Sequence, residues 1–97
     1  MKWEYRFPAY MGRDGEGSVS EALCQNERIH DEVCEARDEI MRGNRFMAIV
    51  ETMDAIHCAE TNLRMMAEED SDILDDAYEY TIMKNKHRGY YTKEVMR

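Results

Sequence analysis

Hydrophobic positions recur along this chain with two periods. Trp3, Tyr5 and Phe7 alternate with Lys2, Glu4 and Arg6, and a period of two predicts a short strand, stopped at Pro8 because proline cannot donate to a ladder. A lone strand is not stable in water, so this arm has to pack on helices, pair with a second subunit or move freely. An apolar arm over the core is the plain reading; an aromatic that stacks on a nucleobase is the sharper one. Residues 11–17 follow with three glycines in seven positions, a linker composition.

From Ser18 the period changes to that of a helix. Ser18 and Glu21 have the capping-box spacing, and Ala22, Ile29, Val33, Ala36 and Ile40 recur at threes and fours. They predict the core stripe of a helix that ends near Arg42, with the row Arg28, Glu32, Glu35, Glu39 beside it. Gly43 suits the residue after a helix and Asn44 the cap of the next, so two helices should form a tight antiparallel hairpin. The second helix is expected from Arg45 to about Glu68. One of its stripes is apolar, through Phe46, Ile49, Met53, Ile56, Leu63 and Met66. A second row, Met47, Glu51, Asp54, Cys58, Thr61 and Met65, sets two acids among apolar or small neighbours, which is not how a solvated face is built.

The acidic run from Glu68 to Asp76 leads into a third helix, capped by Asp70 or Ser71 and running to about Arg88, with Ile73, Ala77, Tyr80 and Lys84 in one row. The run is not a calcium loop, because Leu74 stands where a ligand belongs and Asp75 where glycine is required. Gly89 ends the helix and leaves a tail. The expected architecture is all-α: a helical hairpin plus a third helix in residues 18–97, completed by self-association, with residues 1–17 as an extended arm and linker.

Composition narrows the function. With 21 acidic and 13 basic residues the net charge is -8, which argues against a nucleic-acid polymer as partner, since that affinity rests on neutralising phosphates. Cys24, Cys34 and Cys58 are odd in number and form no CxxC, as in a reducing, cytoplasmic setting. No signal peptide or membrane span is visible, so a soluble intracellular protein is expected. A core this small, beside a helix apolar on several sides, predicts a homodimer or homotetramer.

The candidate chemistry lies in two carboxylate pairs. Glu32 and Glu35 on the first helix, and Glu51 and Asp54 on the second, are each three residues apart and therefore share a helix face. In an antiparallel hairpin all four can meet. Four such anions need a counter-charge, and hard oxygen ligands select Mg²⁺ or Mn²⁺.

These residues resemble the MazG-like all-α nucleoside triphosphate pyrophosphohydrolases. Asp31-Glu32-Val33-Cys34-Glu35 is similar to that family's EExxE segment. Val50-Glu51-Thr52-Met53-Asp54 is similar to its EELGD segment, with Val50 and Met53 as departures. Lys84-Asn85-Lys86-His87-Arg88-Gly89-Tyr90-Tyr91 resembles its closing lysine-arginine motif. The resemblance covers about Leu23 to Tyr91. It implies Mg²⁺-dependent hydrolysis of a (deoxy)nucleoside triphosphate to the monophosphate and pyrophosphate. Glu32, Glu35, Glu51 and Asp54 would hold the metal and Lys84, Arg88 and Asn85 the phosphates, with the general base among Glu32, Glu35 and Glu51.

Three rivals compete. Glu27-Arg28-Ile29-His30 and Asp54-Ala55-Ile56-His57 approximate the ExxH pairs of di-iron bundles, although the second has Asp in place of Glu. His30, Cys34, His57 and Cys58 offer zinc ligands, although His57 and Cys58 point about 100° apart on a helix. A non-enzymatic helical interaction protein would explain the helices and nine methionines but leaves Glu51 and Asp54 without a reason.

Overall fold

The computed structural model describes residues 2–8 and 19–91. Its elements are α1 (Val19–Arg42), α2 (Arg45–Ala67) and α3 (Ser71–His87), and no strand is present among the described residues. The fold is all-α. The linker at 11–17, the capping residue Ser18 and the tail from residue 92 lie outside the described residues. The chain divides into two units, one of residues 5–69 and the other joining residues 1–4 to residues 70–97.

Two residues make the hairpin of the first unit. Gly43 takes φ +77°, its N–H donates to the Ile40 carbonyl at 3.1 Å and the Asn44 N–H donates to the Glu39 carbonyl at 3.0 Å. This pair of bonds is the Schellman closure of α1. The Asn44 side chain then accepts from the Met47 N–H at 3.2 Å and caps α2. One residue thus closes one helix and opens the next, and α2 returns antiparallel along α1.

The seam between the two helices takes only part of the stripe the apolar pattern predicts: Ala22, Ile29 and Ala36 enter it, and Val33 and Ile40 do not. From Ala22 onward the only α1 residues withdrawn from solvent are Ala22, Gln25, Ile29, Glu32, Ala36 and Glu39, at alternating spacings of three and four. On α2, Ala48, Glu51, Ala55, Cys58, Asn62 and Met65 have the same spacing and are all buried or half-buried. This is a heptad seam. Of the expected stripe, Val33 is 53% and Ile40 65% exposed, and on α2 Phe46, Ile49, Met53, Ile56 and Met66 are also exposed. The alanines explain the exchange. Small side chains at 36, 48 and 55 let the backbones approach closely, which turns the branched residues onto the flank. The seam also buries polar groups: Gln25 is fully enclosed, and neither of its amide atoms has a hydrogen-bond partner.

The arm does not form the predicted strand. Residues 2–5 and 8 have no regular structure and Arg6 and Phe7 bend, because no strand among the described residues is there to pair with. The period of two survives in burial, with Trp3, Tyr5 and Phe7 half-buried and Lys2, Glu4, Arg6 and Pro8 exposed. In the first unit the N–H groups of Arg6 and Phe7 donate to the two carboxylate oxygens of Glu60 at 2.9 and 2.8 Å. Phe7 stacks on His57 at 4.8 Å, and the His57 Nε2 is 3.0 Å from the Pro8 carbonyl. Arg64 donates to the Phe7 carbonyl at 3.0 Å and lies 4.0 Å over the Tyr5 ring. The arm thus covers the far side of α2 by satisfying its own backbone on side chains.

In the second unit Asp70 caps α3 by accepting from the N–H groups of Asp72 and Ile73. The Trp3 N–H donates to Asp75 at 2.8 Å, and the Trp3 ring meets Tyr78 edge-on. The predicted row fails here too. Ile73 and Tyr80 are exposed, and the withdrawn residues are Leu74, Asp75, Tyr78, Ile82, Lys84 and Asn85. Gly89, at φ +76°, closes the helix as Gly43 closes α1: its N–H donates to the Lys86 carbonyl and the Tyr90 N–H to the Asn85 carbonyl. No described helix is long and apolar enough to cross a membrane.

Candidate metal centre

The heptad seam carries Glu32 inward on α1, and one turn later Glu35 stands at its acidic edge. Because the Gly43-Asn44 turn is so short, α2 reaches Glu51 as its seventh residue, level with that part of α1. One carboxylate oxygen from each of Glu32, Glu35 and Glu51 lies within 4.8 Å of the others. Glu32 and Glu51 are half-buried and Glu35 is exposed, so the triad opens to solvent on one side. It is the only such grouping of His, Cys, Asp or Glu side chains among the described residues.

Asp54 is exposed and is not one of the three that converge. A residue three past Glu51 turns further from the seam, so Asp54 acts on Glu32 and Glu51 through its charge. The structure brings together three of the four predicted ligands and leaves the fourth at the rim.

The electrostatics are those of uncompensated anions. Withdrawal from water is the largest cause raising the Glu32 pKa above its ordinary 4.5, followed by the charge of Glu35, a hydrogen bond with it, and the charges of Asp54 and Glu51. Glu51 is raised by the same kind of surroundings: withdrawal from water first, then Glu35 by hydrogen bond and charge, then Asp54 and Glu39. Each influence favours the neutral acid. Glu32 Oε2 is enclosed and has no hydrogen-bond partner. The neighbouring cation Arg42 is engaged by Glu39 at 2.7 Å.

These donors fit a hard divalent cation. An octahedral ion with ligands at about 2.1 Å separates them by about 3.0 to 4.2 Å, so oxygens already within 4.8 Å need only small side-chain rotations. A cation there would satisfy the enclosed Glu32 oxygen and remove the repulsion at once.

The other candidate residues are placed as follows. Lys84 and Asn85 are half-buried in the last turn of α3 and Arg88 is its exposed C-cap, all in the second unit. The zinc set is dispersed in its uses: His30 is exposed and 3.9 Å from Asp31, Cys34 is exposed and Cys58 buried, and His57 stacks on the arm. Glu27, of the first ExxH, is exposed. Sequence reasoning missed the His57, Glu60 and Arg64 row that holds the arm. Its one signal is a spacing of three and four on a helix, which any charged helix offers many times.

No protein-family model, curated protein or solved structure matches this chain.

Proposed function

We propose that this chain is a Mg²⁺-dependent hydrolase of (deoxy)nucleoside triphosphates, of the MazG-like kind, releasing the monophosphate and pyrophosphate and working in the cytoplasm as a homo-oligomer. The observation that carries this reading is the convergence of Glu32, Glu35 and Glu51 from two helices to within 4.8 Å. Acids with raised pKa values and an enclosed, unpartnered oxygen support a site that a cation would complete. Three unpaired cysteines support the reducing compartment.

Glu32, Glu35 and Glu51 would hold the cation, and Asp54 at the rim would add charge and stand as a further ligand. Bound Mg²⁺, with Mn²⁺ as a substitute, would orient the triphosphate and acidify a water for attack at the α-phosphorus. One of Glu32, Glu35 and Glu51 takes the proton from that water. Lys84, Asn85 and Arg88 receive the charge that builds on the leaving pyrophosphate. The test is a panel of nucleoside triphosphates, modified deoxynucleotides included, assayed for pyrophosphate release with Mg²⁺ and with EDTA. Release from at least one substrate, abolished by EDTA, is the expected result; silence across the panel rejects it.

A second reading has one observation in its favour. Leu23, Val33, Ile40, Ile49, Met53 and Ile56 are each more than 40% exposed, which suits a helical interaction protein with no chemistry. It leaves the carboxylate triad unexplained. A silent panel together with no divalent-cation binding would favour it.

A further inference from the structure

The two long edges of the α1–α2 hairpin differ in chemistry. Antiparallel helices place Glu35 and Asp54 along one edge of the seam and Val33, Ile40, Ile49 and Ile56 along the other. On the apolar edge a groove of about 490 Å³ runs between the helices, lined by Ile40, Ile49, Met53 and Ile56, with Arg45 as its one charged residue. We propose that this face is the contact between two copies of the chain, packed hairpin to hairpin with each carboxylate triad on the outer side. The inference specifies the homo-oligomer proposed above and uses none of the metal chemistry.

Area, charge and symmetry select a second copy as the occupant. Val33, Ile40, Ile49, Met53 and Ile56 are 43% to 65% exposed; at roughly 200 Å² for a large apolar residue they present on the order of 500 Å² of apolar surface. One partner in a standard interface contributes about 800 Å², a little over half of it apolar, so the face matches the apolar share of one side. A chain of net charge -8 repels its own copies, and the carboxylate edge would be the worst place to bring two together. The apolar edge carries no acid among its lining residues. A pair of antiparallel helices also meets an identical pair across a two-fold axis as a four-helix bundle, the isologous contact that closes without leaving a free patch.

Multi-angle light scattering on the full chain, with Ile49→Glu and Ile56→Glu beside it, tests the proposal. Both positions are exposed in the single chain, so circular dichroism should report unchanged helix. The wild type is expected to be dimeric or a multiple of the dimer at micromolar concentration. Each variant should weaken the dimer on the order of a hundredfold. Binding of Mn²⁺ to the variants should match wild type, because the triad faces the other way. A monomeric wild type overturns the proposal, and so does a dimer that survives both substitutions.

Methionine oxidation of the wild type supplies a reading that needs no variant. Met53 lines the groove, whereas Met41 is 72% exposed on the back of α1. Peroxide should oxidise Met53 several-fold more slowly than Met41 in concentrated protein, with the difference shrinking on dilution below the dimer Kd. Equal rates in a sample that scatters as a dimer would place the contact elsewhere and overturn the assignment. Because none of these readouts involves hydrolysis, a failed dimer and a failed hydrolase are told apart.

Discussion

Glu32 and Glu51 bind protons more tightly in the folded chain than at the ordinary value of 4.5. Between that value and their raised folded pKa the native state holds more protons than the unfolded one, so this contribution to stability is full below about pH 4.5 and is lost as pH rises through the window. The metal-free Tm should therefore contain a component that falls with rising pH, and Glu32→Gln should reduce it to the share that Glu51 carries. An unchanged pH profile in that variant would show that Glu32 does not carry the shift. The Mg²⁺-induced rise in Tm should grow over the same window, since ligation requires the carboxylates deprotonated. Glu51→Gln makes the complementary case: it relieves repulsion, so the metal-free Tm should stay level or rise while the added stability from Mg²⁺ disappears. A lower Tm with a full Mg²⁺ response would make Glu51 structural. Glu32, Glu35 and Glu51 were legible in the sequence because spacing on a helix fixes direction. Asp54 has the same spacing from Glu51 as Glu35 from Glu32, yet it lies exposed at the rim and reaches the others through its charge, a difference that spacing alone does not carry. Glu60 was invisible, one acid among 21, distinguished only by the arm that bends onto it.

At the level of the elements, α1, α2 and α3 end within a residue or so of where Gly43, Asn44, Asp70 and Gly89 predict, because caps are local chemistry. Which face each helix buries was legible in part: Ala22, Ile29 and Ala36 of the expected α1 stripe, and Glu51, Cys58 and Met65 of the second α2 row, do enter the seam. Hydropathy also favours Val33, Ile40, Ile49 and Ile56 for the seam, but close approach of two backbones favours alanine, and beside the expected Ala36 it is Ala48 and Ala55 that occupy it. The arm shows the same limit, since its alternation predicts a strand and only the carboxylates of Glu60 and Asp75 reveal where its N–H groups go. Glu60 is 97% enclosed by its 3% exposure and accepts two backbone bonds, so Glu60→Ala should cost about 2 kcal/mol or more and expose the arm to proteolysis at Arg6. Digestion no faster than wild type would mean that the stacked rings hold the arm without it. The end of α3 offers a sharper separation of roles. If Lys84 and Arg88 only complement the helix dipole, replacing either with Gln costs at most about 1 kcal/mol and leaves turnover intact. On the proposed function, Lys84→Gln and Arg88→Gln should each lower kcat/KM by on the order of tenfold to a thousandfold with little change in Tm. Full activity in both would remove these residues from the phosphate site.

For the molecule as a whole, the hairpin separates its tasks by edge: acids gather along one side of the seam, aliphatic side chains along the other, and the alanines between them hold the two helices close enough for both. The fold class and helix order followed from period and capping alone, while the division of labour between edges needed the seam in three dimensions. Everything proposed about catalysis depends on α1 and α2 together holding a divalent cation. Titration of Mn²⁺ into the full chain, followed by electron paramagnetic resonance, measures this directly. The wild type should bind Mn²⁺ with an affinity that Mg²⁺ competes away, and Glu51→Gln, which alters α2 alone, should lose that binding although Glu32 and Glu35 remain on α1. Mn²⁺ that stays free in the wild type, or that binds equally well to Glu51→Gln, would contradict a shared metal centre between the two helices.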